Sequence, residues 1–126
     1  MQIRKLDTSQ KKERAHFVDF VFDLYKTSPL WVPPLRSDAM NLLDKANHPF
    51  YEHSYADFFV VEEGERVLGR MAMLENRSFN NFHNTRTAFF GYFEVIEDIE
   101  VARLLLRQAV EWTREHNLDT IIGPRG

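Results

Sequence analysis

The chain has 126 residues, 44% of them hydrophobic and eleven of them Phe, so it is one domain or part of one, with enough apolar surface for a real core. Sixteen basic against nineteen acidic side chains leave a net charge of −3, which gives generic nucleic-acid binding little electrostatic support. With no cysteine, disulfides, thiolate nucleophiles and thiolate metal sites are excluded.

No run approaches the ~20 apolar residues that a membrane-spanning helix needs. The start, Met1-Gln-Ile-Arg-Lys-Leu-Asp7, is strand-like and has no signal-peptide core. These features read as a soluble, bacterial-type cytoplasmic domain with no membrane or nucleic-acid partner.

Residues 2–6 form a first predicted strand. Thr8 or Ser9 can cap a helix from about Gln10 to Lys26, whose stripe of Phe17, Phe20, Val21 and Leu24 is widened by Val18, Phe22 and Tyr25. A stripe this wide implies cover on more than one side. Lys11, Lys12 and Arg14 in its first turns oppose the helix dipole. In Ser28–Leu35, Pro29, Pro33 and Pro34 forbid helix and enforce an extended passage. Trp31 and Leu35 are expected to pin that passage to the core, with Trp31 mostly buried near Phe20 or Leu24. Ser37 or Asp38 can cap a short helix through Lys45 with Met40, Leu42 and Leu43 inward.

Asn47–His53 reads as a loop, and Asp57–Arg77 as a hairpin turning at Glu63-Gly64-Glu65. Residues 78–86 read as a connector. Ala88–Ile96, aromatic and β-branched, suits a largely buried strand. Asp98 is a natural N-cap for a helix carrying Val101, Leu104, Leu105, Ala109 and Trp112 on one face. Asn117 can close that helix, and Leu118–Ile122 follows as a strand stopped by Gly123-Pro124. Strand, helix and strand with short connections make a right-handed parallel crossover. The whole order predicts an α/β fold with a mixed sheet.

Among candidate chemical groups, Glu94 shares a strand face with Tyr92 and Ile96 by alternation, opposite Phe93 and Val95. It reads either as a general base for an amine or as an outward charge on a half-exposed strand. His48, His53 and His83 lie in loops without zinc-motif spacing, so no metal site is predicted. Ser54 and Ser78 lack a nucleophile-elbow context. Gly69 is explained by strand packing, and Met71 and Met73 by core filling.

Pro29-Leu-Trp-Val-Pro-Pro-Leu35, Val67-Leu-Gly-Arg70, Asn76-Arg77, Phe89-Phe-Gly-Tyr-Phe-Glu94 and Gly123-Pro124 resemble a branch of longer bacterial proteins within the GNAT superfamily of acyl-CoA-dependent N-acetyltransferases. The resemblance implies that residues 1–126 are a single GNAT-like domain, truncated after the fifth strand and incomplete at its C-terminus. It implies acyl transfer from acetyl-CoA or another acyl-CoA to a small-molecule or peptide amine. The backbone of Phe93 and Val95 would hold pantetheine and thioester, and Glu94 or a water would act as base. One departure bears on the cofactor. Where the superfamily has a glycine-rich pyrophosphate loop, this chain has Glu97-Asp-Ile-Glu-Val-Ala102, whose three carboxylates compete with phosphate at the helix start. The alternative reading is therefore a catalytically silent half that serves structure or dimerisation. The terminal strand, left as a sheet edge, favours a homodimer.

Overall fold

The computed structural model describes residues 1–125. In chain order it contains β1 (Gln2–Lys5), α1 (Lys11–Leu24), α2 (Arg36–Leu42), a single 3-10 turn at Pro49–Glu52, β2 (Ser54–Glu63), β3 (Arg66–Asn76), α3 (Arg77–His83), β4 (Thr87–Val95), α4 (Ile99–Glu115) and β5 (Thr120–Arg125). The strands form one sheet in the order β1-β2-β3-β4-β5. Neighbours are antiparallel except β4 and β5, which are parallel, as the α4 crossover requires. The fold is α/β with a mixed sheet.

Alternation along the strands divides the core between two layers. On one face Phe59, Val61, Met71, Met73 and Ala88 meet Val101, Leu105, Ala109 and Trp112 of α4. On the other, Phe58, Val60 and Ala72 meet Phe17 and Val18 of α1 and Met40 and Leu43 around α2. The α4 layer is closely fitted. A Cβ at Gly69 would lie 2.7 Å from a Val101 methyl, so the missing side chain is what lets α4 approach β3. Trp112 is 1% exposed, and its indole N–H donates to Asp57 Oδ2 at 2.8 Å. The buried Asp57 carboxylate also accepts from Lys45 Nζ at 3.1 Å and Tyr55 O–H at 3.3 Å. A buried acceptor this well supplied with donors is a stable arrangement.

Helix ends show where local expectation fails. Asp98 does cap α4, accepting from the Glu100 amide at 2.9 Å, and Asn117 follows that helix at φ +58. The N-cap of α1, however, is Gln10, and that of α2 is Leu35, neither with a side-chain cap bond. Ser9 and Asp7 bond to each other instead. Two of the charges at the start of α1 have partners: Glu13 binds the Arg4 guanidinium, and Arg14 donates to the Thr8 carbonyl at 2.7 Å. The connector 78–86 contains a helix, α3, capped by the Asn76 side chain and closed by Asn84 at φ +53. Gly123 and Pro124 do not stop β5 but lie within it. The hairpin turn places Gly64 at φ +62, a conformation that glycine adopts without steric cost.

Gly69→Ala tests the α4 contact. The added methyl must displace Val101 and Leu105, so a loss of about 1–3 kcal/mol is expected by denaturant titration. A wild-type midpoint would show that α4 is not held at that distance.

Candidate functional site

The site is built by one irregularity in β4. Ala72 of β3 pairs with Gly91, but Arg70 pairs with Glu94, so the single residue Met71 of β3 is matched by two of β4, Tyr92 and Phe93. The extra residue is a β-bulge, and Tyr92 within it has φ +51. A non-glycine residue there costs about 1–3 kcal/mol, and such strain concentrates at functional positions. Phe90 packs with the α4 layer. Without the bulge, Tyr92 and Glu94 would follow it by alternation. With the bulge, Tyr92 joins the α1 layer and Glu94 stands opposite Arg70. Phe93 and Val95 pack against the α4 layer, as expected, but so does Ile96, which therefore does not share the Glu94 face.

Four side chains converge beneath α1. Arg70 is 9% exposed; its Nη1 donates to the Phe17 carbonyl at 3.0 Å, while its Nε is buried without a hydrogen-bond partner among the described residues. Its guanidinium lies over the rings of Phe17, 4.7 Å from the centroid, and Tyr92, 5.6 Å away. Burial pushes the Arg70 pKa down to about 10, against the attraction of Glu94, so the charge persists at neutral pH. Tyr25, just after α1, donates its O–H to Glu94 Oε2. That bond, followed by burial and the carboxylate's charge, holds the Tyr25 phenol above its ordinary value. Burial likewise raises the Tyr92 phenol.

Trp31 serves this cluster rather than the core. It is half-buried, stacks on Tyr25 with centroids 5.4 Å apart and meets Phe22 edge-on at 5.6 Å. The expected burial against Phe20 or Leu24 is corrected accordingly. Leu35, expected to anchor the proline passage, is 70% exposed. The ring contacts of Trp31 tie the passage to the end of α1, while Pro34 and Leu35 line the edge of a cavity. A cavity of about 290 Å³ lies between α1, α2 and the sheet, lined by Phe17, Val21, Leu42 and Leu43, with Arg70 and Tyr92 also in its wall.

On its other side, β4 pairs with β5 from Thr87–Thr120 only as far as Gly91–Arg125. Among the described residues, the backbone of Phe93, Glu94 and Val95 has no partner in β5. At the start of α4, the Asp98 carboxylate accepts from one helix amide, that of Glu100, and Glu100 pairs with Arg103 at 3.0 Å. His48 accepts from the Phe50 amide and His116 bonds the Trp112 carbonyl, so both are engaged locally. Among the described residues no group of three acidic or histidine side chains could hold a metal, and no helix is long and apolar enough to cross a membrane.

This topology, with its interrupted β4, is the GNAT acyltransferase fold. No family model matches the sequence. A tandem GNAT protein from the clavulanic acid biosynthesis pathway superposes with a TM-score of 0.73 at 20% identity, covering 95% of this chain and 35% of that one. An aminoglycoside acetyltransferase from an uncultured soil metagenomic sample, solved with sisomicin, superposes with a TM-score of 0.67 at 9% identity, covering 99% of this chain and 77% of that one. In sequence, the chain is 25% identical over 113 residues to a bacterial ceramide synthase of Caulobacter vibrioides (strain NA1000 / CB15N). The match covers 89% of this chain and 29% of that protein, so the chain spans less than a third of the curated relative's length.

The Tyr25–Glu94 bond gives a pH prediction. The folded phenol titrates above its unfolded value of 10.0, so the bond's contribution to stability is complete below that pH. It is lost as pH rises through the raised folded value. Difference absorbance titration at alkaline pH should show one tyrosine ionising earlier in Glu94→Gln than in wild type. Coincident titrations would show that the bond does not form in solution.

Proposed function

We propose that this chain carries the acceptor-side chemistry of an acyl-CoA-dependent N-acyltransferase in the cytoplasm. The observation that supports it most is Glu94. The bulge sets this carboxylate beside a stretch of β4 backbone that lacks a β5 partner among the described residues, where Tyr25 holds Oε2 and Oε1 has no hydrogen bond. The unpaired amides and carbonyls of Phe93 and Val95 suit the amide groups of a pantetheine arm. Acyl-CoA supplies an acyl group activated as a thioester. Glu94, directly or through a water, accepts the proton that the acceptor amine gives up as its C–N bond forms and the C–S bond breaks. Tyr25 is a positioning residue for Glu94. The described residues do not fit the pyrophosphate equally well, because α4 begins on carboxylates and Asp98 takes the amide an anion would need.

That junction favours a second reading, a silent half that does not bind CoA, and the two are separable. Thiol release from acetyl-CoA with amine acceptors should fall about 10²–10⁴-fold in Glu94→Gln, the usual range for a lost general base. An unchanged rate would remove Glu94 from that role. In calorimetric titration the isolated chain should bind acetyl-CoA more weakly than low-micromolar, and neutralising Glu97 and Glu100 should change affinity little. Low-micromolar binding at moderate salt would show that the acidic junction is no obstacle. Absence of both turnover and any acyl-CoA-dependent thermal shift would favour the silent half.

For assembly, the same reading takes β5 as a pairing edge. Ile122 is 46% exposed, and Leu106 and Val110 are exposed on α4. Such an edge favours pairing with a second copy. Sedimentation at high micromolar concentration should give a dimer; a species near 15.0 kDa would refute this.

A further inference from the structure

The α1–α2 cavity holds an imbalance of charge that the acyl-transfer reading does not use. Its wall is apolar, drawn from Phe17, Val21, Leu42 and Leu43, yet it also contains the buried cation Arg70. That guanidinium, with five N–H donors, makes one hydrogen bond, to the Phe17 carbonyl. Its Nε is buried without a partner among the described residues, and the guanidinium lies over the faces of Phe17 and Tyr92. Glu94 attracts it across the β3–β4 ladder but is committed to Tyr25. Buried cations are normally paired, and an Arg with donors to spare suits a carboxylate, which can take two N–H bonds from its planar fork.

We propose that the cavity is a binding site for a carboxylate carrying a hydrocarbon tail, with its head at Arg70 and its tail between α1 and α2. The volume is suitable. A cavity of about 150 Å³ lined by aliphatic and aromatic side chains accepts benzene, so one of about 290 Å³ takes roughly a dozen carbon atoms at most. The tail leaves past Leu35 and Asp38, which line the cavity from the exposed end of the proline passage and the start of α2. Asp38 at that rim disfavours an anionic head on the outer side, which fixes the orientation. Because Arg70 and Glu94 are ladder partners, a 2-amino carboxylate held at Arg70 would have its amine on the Glu94 side. The site itself is independent of acyl transfer and can be tested without CoA.

Octanoate, 2-aminooctanoate, octanamide and octylamine share a tail and differ in head. With the unmodified chain, followed by calorimetry and by the fluorescence of Trp31, which touches the cavity residue Phe22, both carboxylates should bind at least tenfold tighter than the amide or the amine. Binding should be lost in Arg70→Gln and in Ala39→Trp, which fills the cavity from α2, with folding checked by circular dichroism. Equal binding of all four heads, or none below millimolar concentration, would overturn the proposal even if both variants failed to fold. So would undiminished octanoate binding in either folded variant. Tighter binding of 2-aminooctanoate than octanoate would assign the site to an acceptor, and the reverse order to a free acid. Loss of acyl transfer with octanoate binding intact would remove the catalytic reading alone.

Discussion

One extra residue in β4 decides what the rest of the molecule can do. A strand has a period of two, so every residue of β4 after Phe90 has its face set in advance. The bulge at Gly91–Tyr92 resets that count. It takes Tyr92 and Glu94 out of the tightly packed α4 layer and delivers them beneath α1, opposite Arg70. The register with β5 also shifts just before it, between Phe89 and Gly91, where the extra residue belongs to β5. Pairing with β3 resumes at Arg70–Glu94, whereas on the other side the described pairing with β5 ends at Gly91–Arg125. The left-handed backbone of Tyr92 is the cost, and it is offset where the ring packs edge-on against Phe17 at 6.2 Å and beneath the Arg70 cation.

The two faces of the sheet then have different tasks. The α4 side is dense: a glycine on β3 admits the helix, and the buried Asp57 ties Trp112, Lys45 and Tyr55 into one polar cluster. Such packing leaves no freedom for a ligand and gives β3 and β4 a fixed support. The α1 side is looser, with a half-buried Trp31 and a short α2 that lacks a side-chain cap. A site needs both properties. The groups proposed to react sit on rigid strands, while the cavity wall beside them belongs largely to the less constrained helices.

Much of this frame was legible in the sequence because it depends on local chemistry. The aromatic β4, the Asp98 cap, the α4 stripe, the Gly64 turn and the packing role of Gly69 each follow from residues within a turn or a strand of one another. The site was legible only in part. Glu94 stood out as a candidate base, but its partner Tyr25 lies 69 positions away, and no local pattern links them. Tyr92 looked like an ordinary strand aromatic; the adjacent Gly91 was the one available sign that the strand could bulge there. Arg70 was noticed within Val67–Arg70 for its resemblance, not for its burial, which arises only when α1 closes over β3. The missed α3 helix was signalled by Asn76 and Asn84, whose roles as caps depend on backbone geometry that no local pattern shows. The proline passage misled in the opposite direction. Trp31 and Leu35 are apolar enough to suggest anchoring, but only Trp31 finds aromatic partners.

The distribution of charge around β4 carries a last consequence. The start of α4 has Glu97, Asp98 and Glu100, whereas the α1 side hides Arg70, the one buried cation among the described residues. By count the carboxylates dominate, and a sequence reading weighs them so. Environment reverses the weighting. At 4 Å a pair of unit charges interacts by about 1 kcal/mol in bulk water and about 4 kcal/mol at the effective dielectric of partly buried sites. The exposed carboxylates are further screened by salt, and Glu100 and Asp98 are already engaged by Arg103 and by a helix amide. Arg70 is neither screened nor neutralised by contact with a carboxylate. The helix start, where phosphate is bound in many α/β proteins, therefore offers an anion only weak repulsion, and the carboxylate site we propose under α1 rests on the buried Arg70. The buried cation thus stands on a strand, across the β3–β4 ladder from the base proposed at Glu94, and not at a helix terminus.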